Sequence, residues 1–88
     1  MQELIAHTRH LADEQRNPLT IRYTLLECQT QNGTREYGLG VDSSRGESIR
    51  MPHLSVDRAK VEQLLDLVIR LDLSPTHLPD VVEDWLGQ

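Results

Sequence analysis

The chain has 88 residues, of which 38% are hydrophobic, and it contains no phenylalanine. A chain of this length forms one domain whose small core must be built from Leu, Val and Ile. Its net charge of −5 weighs against a general nucleic-acid binder, because such proteins carry clustered positive charge. With a single cysteine, no apolar leader and no long apolar run, we expect a cytoplasmic protein without membrane association.

The N-terminal segment, residues 1–18, has the weakest pattern. Asn17-Pro18 ends whatever structure forms there. Its apolar residues at helical spacing are Leu4, Ile5, Leu11 and Ala12. We predict a short N-terminal helix or arm over residues 1–18, followed by a single α+β domain over residues 19–88.

The clearest β signal is a hairpin around the turn pair Asn32-Gly33, within LTIRYTLLECQTQNGTREYGLGVDS. A two-residue loop would pair Leu26 with Leu39. A three-residue loop, residues 31–33, would instead pair Leu25 with Leu39. It would also place Tyr23 opposite Val41 and Arg22 opposite Asp42, and the second of these is an attractive cross-strand ion pair. We therefore favour the three-residue loop.

The segment GESIRMPHL predicts a third strand, with Ile49 and Met51 facing inward and Pro52 marking its end or an edge. The turn before it is residues 43–46. These segments together predict a three-stranded antiparallel meander.

Residues 55–72 have the strongest helical pattern. Ser55 is the expected N-cap and Asp57 lies in the first turn, where negative charge suits the helix dipole. The apolar stripe is Val61, Leu64, Leu65, Val68 and Leu71, and Leu67 and Ile69 widen it. A stripe this wide predicts more than one packing partner.

A short C-terminal helix is predicted over residues 79–86. Its apolar face is Leu78, Val81, Val82, Trp85 and Leu86, at positions i, i+3, i+4, i+7 and i+8. The opposite face carries Asp80, Glu83 and Asp84. Helix geometry alone accounts for this composition, with Trp85 as a core anchor and the carboxylates in solvent.

The segment LSPTHLPDVVEDWL, with YGLGV and LSVDRAKVEQL before it, resembles a small family of unknown function found in clostridia and related Firmicutes. The family motif is His-Leu-x-Asp-Val-(Val or Ile)-Glu-Asp-aromatic-Leu. Trp85 stands where that family has phenylalanine more often, and the resemblance covers about residues 20–86. The positions that match are His77, Leu78, Asp80, Val81, Val82, Glu83, Asp84 and Leu86. The resemblance brings no activity, but it implies that the C-terminal motif is more than a chance helix face.

The residues carry no signature of an enzyme, a metal or a cofactor. His7 and His10 would share a face if the arm were helical, but two further ligands would have to come from elsewhere. Gly38-x-Gly40 lies inside a predicted strand, whereas a nucleotide loop opens a helix. A nucleophilic site would need Cys28 or a serine with a base and an acid in one pocket, and no spacing supports it.

The leading hypothesis is a non-catalytic protein-interaction module or small regulator that binds an unidentified protein partner and can form a homodimer. Its basis is the apolar excess on Leu26 and Cys28 of the outer sheet face and on the flank of the long helix. The candidate partner-binding residues are His77, Asp80, Glu83 and Asp84. Two alternatives are a phage or mobile-element inhibitor that occupies the nucleic-acid groove of a larger enzyme, and a small metal-binding protein or enzyme.

Overall fold

The computed structural model describes residues 1–87. It has a four-stranded antiparallel sheet in the order β1-β2-β3-β4, with two helices. Helix α1 spans Arg58–Arg70, and a 3-10 turn, Pro75–His77, leads directly into helix α2, Leu78–Leu86. The strands are β1 Gln2–Ala12, β2 Pro18–Gln29, β3 Arg35–Ser43 and β4 Ser48–Ser55.

The prediction of a three-stranded meander is wrong, because Gln2–Ala12 forms a fourth strand instead of a helix or an arm. This strand pairs antiparallel with β2, and a bulge between Glu3 and Ile5 shifts its register. Beyond the bulge, His7 and Arg9 hold two of the positions that face the helices. Those polar residues and the bulge break the apolar alternation that identifies a strand in a sequence.

The three-residue loop predicted for the β2–β3 hairpin is confirmed. The Thr30 N–H donates to the Thr34 carbonyl at 2.8 Å, and Gly33 has a left-handed φ of 84°. Leu25 therefore faces Leu39, as predicted.

The other two hairpins use the same loop design. The first is closed by Asp13 N–H donating to Asn17, and the third by Ser43 N–H donating to Glu47. In each loop the third residue is left-handed, and these residues are Arg16, Gly33 and Gly46. One loop type thus makes all three connections of the sheet, although only one contains an Asn-Gly pair.

The core lies between one face of the sheet and the two helices. Tyr23, Leu25 and Val41 are fully buried on this sheet face. The helices contribute the buried residues Val61, Leu64, Leu65, Val68, Leu78 and Val82. Ile49, Met51 and Trp85 pack against this cluster while partly exposed.

Helix α1 is shorter at both ends than predicted. Its N-cap is Asp57, not Ser55, and the Asp57 carboxylate accepts hydrogen bonds from the N–H groups of Ala59 and Lys60. The helix ends after Arg70, so Leu71 is 55% exposed and does not join the predicted stripe.

The end of α1 is a Schellman motif, in which the left-handed residue is Asp72 with a φ of 49°. The Leu73 N–H donates to Val68 at 3.1 Å, and the Asp72 N–H donates to Ile69 at 3.1 Å. Arg9 on β1 forms an ion pair with Asp72 at 2.7 Å. This contact ties the edge strand to the end of the helix.

Candidate functional site

The predicted partner-binding residues lie together on the outside of the C-terminal elements. His77 ends the 3-10 turn, and Asp80, Glu83 and Asp84 lie on α2. All four residues are exposed. None forms an ion pair within residues 1–87, so the three carboxylates face solvent without a paired cation. The structure brings these residues to one surface but does not test whether a partner uses it.

An open groove of about 330 Å³ lies beside this acidic surface. Trp85 is half-buried in its wall, and Leu86 is 58% exposed at its rim. Lys60, the only lysine of the chain, lies in the wall formed by α1. The full lining is Leu54, Ser55, Lys60, Gln63, Trp85 and Leu86. We call this the C-terminal groove.

The groove forms because three elements end or begin at the same place. β4 ends at Ser55, α1 begins at Arg58 and α2 ends at Leu86. Val56, in the connection that follows β4, is 64% exposed. The sequence did not single out this site, since its lining residues are distant in the chain, but Trp85 at the end of an amphipathic helix was a usable signal.

The sheet face opposite the helices carries two bidentate ion pairs. The Arg50 guanidinium donates to both carboxylate oxygens of Asp42 at 2.9 Å. The Arg22 guanidinium donates to both oxygens of Glu3, at 3.2 and 2.8 Å. The Arg50 hydrogen bonds lower the pKa of Asp42 and the Arg22 hydrogen bonds lower that of Glu3, although desolvation opposes both shifts.

Opposite charges are therefore interspersed on this sheet face. Such a distribution does not favour an inhibitor that imitates the phosphates of nucleic acid, a hypothesis that stays a prediction.

Leu26 lies on the same sheet face but is fully buried, so the expectation that Leu26 adds exposed apolar surface is wrong, whereas Cys28 is partly exposed. The reason lies in the strands beside it. Leu26 pairs with Gly38, and a bulge brings the Met51–Pro52 backbone of β4 directly over that glycine. The neighbouring Gly40 lies under the Arg50 side chain. Gly38 is required because the β4 backbone occupies the space of a side chain, whereas at Gly40 only the flexible Arg50 side chain would have to move.

Tyr23 is buried, and its surroundings change its pKa strongly. Its hydroxyl donates to the carbonyl of Leu73 at 2.9 Å, just beyond the end of α1. Burial raises the pKa of Tyr23 to about 12, and the nearby Asp72 carboxylate adds to this effect. Its hydrogen bond ties β2 to the α1 end, which is a structural role.

The histidine pair His7–His10 lies on a strand, so an i, i+3 spacing directs the two rings to opposite faces of the sheet. The shared helix face that a metal pair would need does not exist. Within residues 1–87, no three His, Cys, Asp or Glu side chains come together as a ligand group. Cys28 is partly exposed at the end of β2.

These features define a small α+β domain, a four-stranded antiparallel sheet covered on one face by two helices. Its candidate binding residues lie on the open C-terminal groove and on the acidic surface of α2. No helix within residues 1–87 has the length and apolar character needed to cross a membrane. The chain belongs to DUF6514, a family of unknown function whose model matches residues 1–88. No curated protein and no solved structure matches it.

Proposed function

We propose that this protein is a non-catalytic interaction module that binds a partner protein through the C-terminal groove and the acidic surface of α2. The observation that carries the proposal is the open groove beside Trp85, with Leu86 58% exposed at its rim. Leu54, Trp85 and Leu86 lie together in this groove. Contiguous apolar surface on a small domain is typical of an interface, and aromatic anchors dominate the energy of such interfaces.

The charges around the groove define the partner chemistry. Asp80, Glu83 and Asp84 lie on the solvent side of α2, while Trp85 follows directly in the chain. A partner segment with an apolar side chain for the groove and basic residues next to it complements both features. The carboxylates would speed association and fix orientation, while burial of apolar surface would supply most of the affinity.

The motif resemblance favours the same end of the chain, because the matching residues run from His77 to Leu86. In this proposal His77 is a partner contact at the start of α2. Within residues 1–87 its side chain does not cap the helix, which leaves its ring available.

The experiment compares two leucine variants of the whole chain. Leu86→Asn alters the groove rim, and Leu71→Asn alters a leucine of almost equal exposure, 55% against 58%, at the end of α1. Immobilised wild-type protein recovers a partner from a lysate of the native host, and the recovered partner is then titrated against each variant. Trp85, the only tryptophan, reports occupancy of the groove through its fluorescence.

We expect Leu86→Asn to weaken binding by at least tenfold and Leu71→Asn to leave it unchanged. Neutralising Asp80, Glu83 and Asp84 together should slow association and remove its salt dependence. Equal binding by both leucine variants, or an unchanged Trp85 emission on binding, would place the partner elsewhere and contradict the proposal.

A further inference from the structure

The outer edge of β1 presents unpaired backbone groups. The Thr20 carbonyl accepts a hydrogen bond from the Ser44 N–H at 2.8 Å, on the β3 side of β2. Thr20 and its β1 neighbour His10 therefore form a pair without backbone hydrogen bonds, although their side chains contact each other at 3.4 Å. In an antiparallel ladder such pairs alternate with bonded ones. Beyond the bulge, the β1 residues whose N–H and C=O point away from β2 are therefore Ala6, Thr8, His10 and Ala12.

Between the bulge and Ala12, no element of the described part of the chain covers this edge, and its one inward-facing charge, Arg9, is already paired with Asp72. Within residues 1–87 helix α1 packs on β2, β3 and β4, and β1 packs chiefly on β2. Residues 5–12 contain no proline and no lysine. The opposite edge, β4, is shorter, contains Pro52 and a bulge, and contacts the 3-10 turn. The stretch of β1 beyond its bulge is an open edge of eight residues, which is long enough for strand addition.

The residues of β1 are self-complementary in one register. If two copies of β1 run antiparallel with Thr8 opposite Thr8, then Ile5 of each copy faces the partner's Leu11. Both residues belong to the sheet face that carries the core, where Ile5 is 40% exposed and Leu11 is partly buried. Pairing them would continue the apolar layer from one sheet into the next.

Neighbouring registers are less favourable. A two-fold axis at Arg9 sets two arginines opposite each other, and an axis at His7 sets Ile5 against the partner's Arg9. With the axis at Thr8, His7 faces the partner's Arg9, whose charge is already paired with Asp72 at 2.7 Å. This arrangement sets no two arginines directly opposite each other.

We propose that β1 binds the same strand of a second copy of this chain, antiparallel about Thr8, to form one continuous eight-stranded sheet. The pairing spans residues 5–11 of each copy and ends at the bulge. It goes beyond the proposed partner binding, because the C-terminal groove adjoins β4 at the other edge of the sheet and stays open in both copies. The contact is smaller than the ~1,600 Å² of a standard interface, so the dimer is reversible.

The first test is sedimentation equilibrium of the whole chain over a range of concentrations. The mass should rise with concentration from 10.1 kDa toward twice that value. Thr8→Pro removes an N–H that points away from β2, so the fold tolerates it while the dimer is lost. Thr8→Val keeps the N–H and should still dimerise.

The second test is oxidative cross-linking in a Cys28→Ser background, which removes the only native thiol. In the proposed register the two Thr8 Cα atoms are about 5.5 Å apart, within disulfide reach. The two Ala12 residues are about 26 Å apart, although the backbone groups of Ala12, like those of Thr8, point away from β2. Thr8→Cys should cross-link in proportion to the dimer present, and Ala12→Cys should not.

A wild-type chain that stays at its monomer mass up to millimolar concentration would overturn the proposal and leave the edge to a strand of a different protein. A dimer that survives Thr8→Pro would also overturn it. The same holds if Thr8→Cys cross-links no faster than Ala12→Cys. None of these outcomes depends on partner binding at the C-terminal groove, so the two proposals fail separately.

Discussion

Arg16 holds the third position of the β1–β2 loop with a φ of 63°, a left-handed conformation that favours glycine. Glycine fills the equivalent positions in the other two hairpins, Gly33 and Gly46. An arginine in this conformation costs about 1 kcal/mol relative to a residue without Cβ. Replacing it with glycine would remove that cost, but the larger entropy of glycine in the unfolded chain offsets part of the gain in stability.

Arg16→Gly should therefore raise the free energy of unfolding by about 0.5 kcal/mol, measured by denaturant titration. The matched control is Gln15→Gly in the same loop, where φ is not positive, and it should lower the free energy by about 0.5–1 kcal/mol. A loss of stability in Arg16→Gly would show that the strain is relieved elsewhere.

Tyr23 makes stability depend on alkaline pH. Its pKa is about 12 in the folded chain and 10.0 for an ordinary tyrosine, so the folded state keeps a proton that the unfolded state releases. The contribution is fully present below pH 10 and is lost as the pH rises toward 12.

We expect the midpoint of denaturant unfolding to fall steeply between pH 10 and 12. Tyr23→Phe should abolish that part of the fall and cost about 1 kcal/mol at neutral pH, because the Leu73 carbonyl loses its donor. Tyr37→Phe, at the other tyrosine of the chain, should keep the steep dependence. An identical pH profile in Tyr23→Phe and wild type would contradict this assignment.

At the scale of elements, the close approach of the β4 backbone to β3 at the bulge depends on Gly38. A Cβ there would collide with the Met51 carbonyl oxygen and lie 2.5 Å from the Pro52 Cα, and both are backbone atoms that cannot move alone. At Gly40 the neighbour is the flexible Arg50 side chain, 3.0 Å from the same added atom.

Gly38→Ala should cost about 3 kcal/mol or more in unfolding free energy, and Gly40→Ala about 1 kcal/mol or less. Both substitutions add one methyl group to the same strand, so each is the control for the other. Thermal unfolding measures the difference, and similar losses in both variants would mean that the β4 bulge does not sit over Gly38.

The sequence predicts the elements whose apolar period is regular and whose turns are conventional. The register of β2 against β3 followed from one loop length and the pairing of Leu25 with Leu39, and both helices followed from their stripes. Strand β1 could not be predicted, because a bulge interrupts its period and His7 and Arg9 occupy helix-facing positions. β1 pairs with β2, and no pattern within residues 1–18 indicates that pairing.

The acidic face of α2 was predicted from helix geometry, but the groove beside it was not. Its lining comes from Leu54, Lys60 and Trp85, which approach only after the sheet and both helices pack. Likewise, the burial of Leu26 depends on a bulge in β4 that Pro52 alone does not predict.

For the whole molecule, the result is an elongated domain of 47 × 26 × 17 Å with two open surfaces at opposite edges of one sheet. The C-terminal groove adjoins β4, and the unpaired backbone lies along β1. The proposed dimer contact and the proposed partner site therefore lie at separate edges of the sheet.

Amide hydrogen exchange of residues 2–12, followed residue by residue in dilute solution, tests most directly whether this segment is a strand with one open edge. The account predicts an alternation, with slow exchange at Ile5, His7, Arg9 and Leu11, which face β2, and fast exchange at Ala6, Thr8 and His10. Exchange at the rate of an unfolded peptide along the whole segment would contradict it, and so would uniform protection.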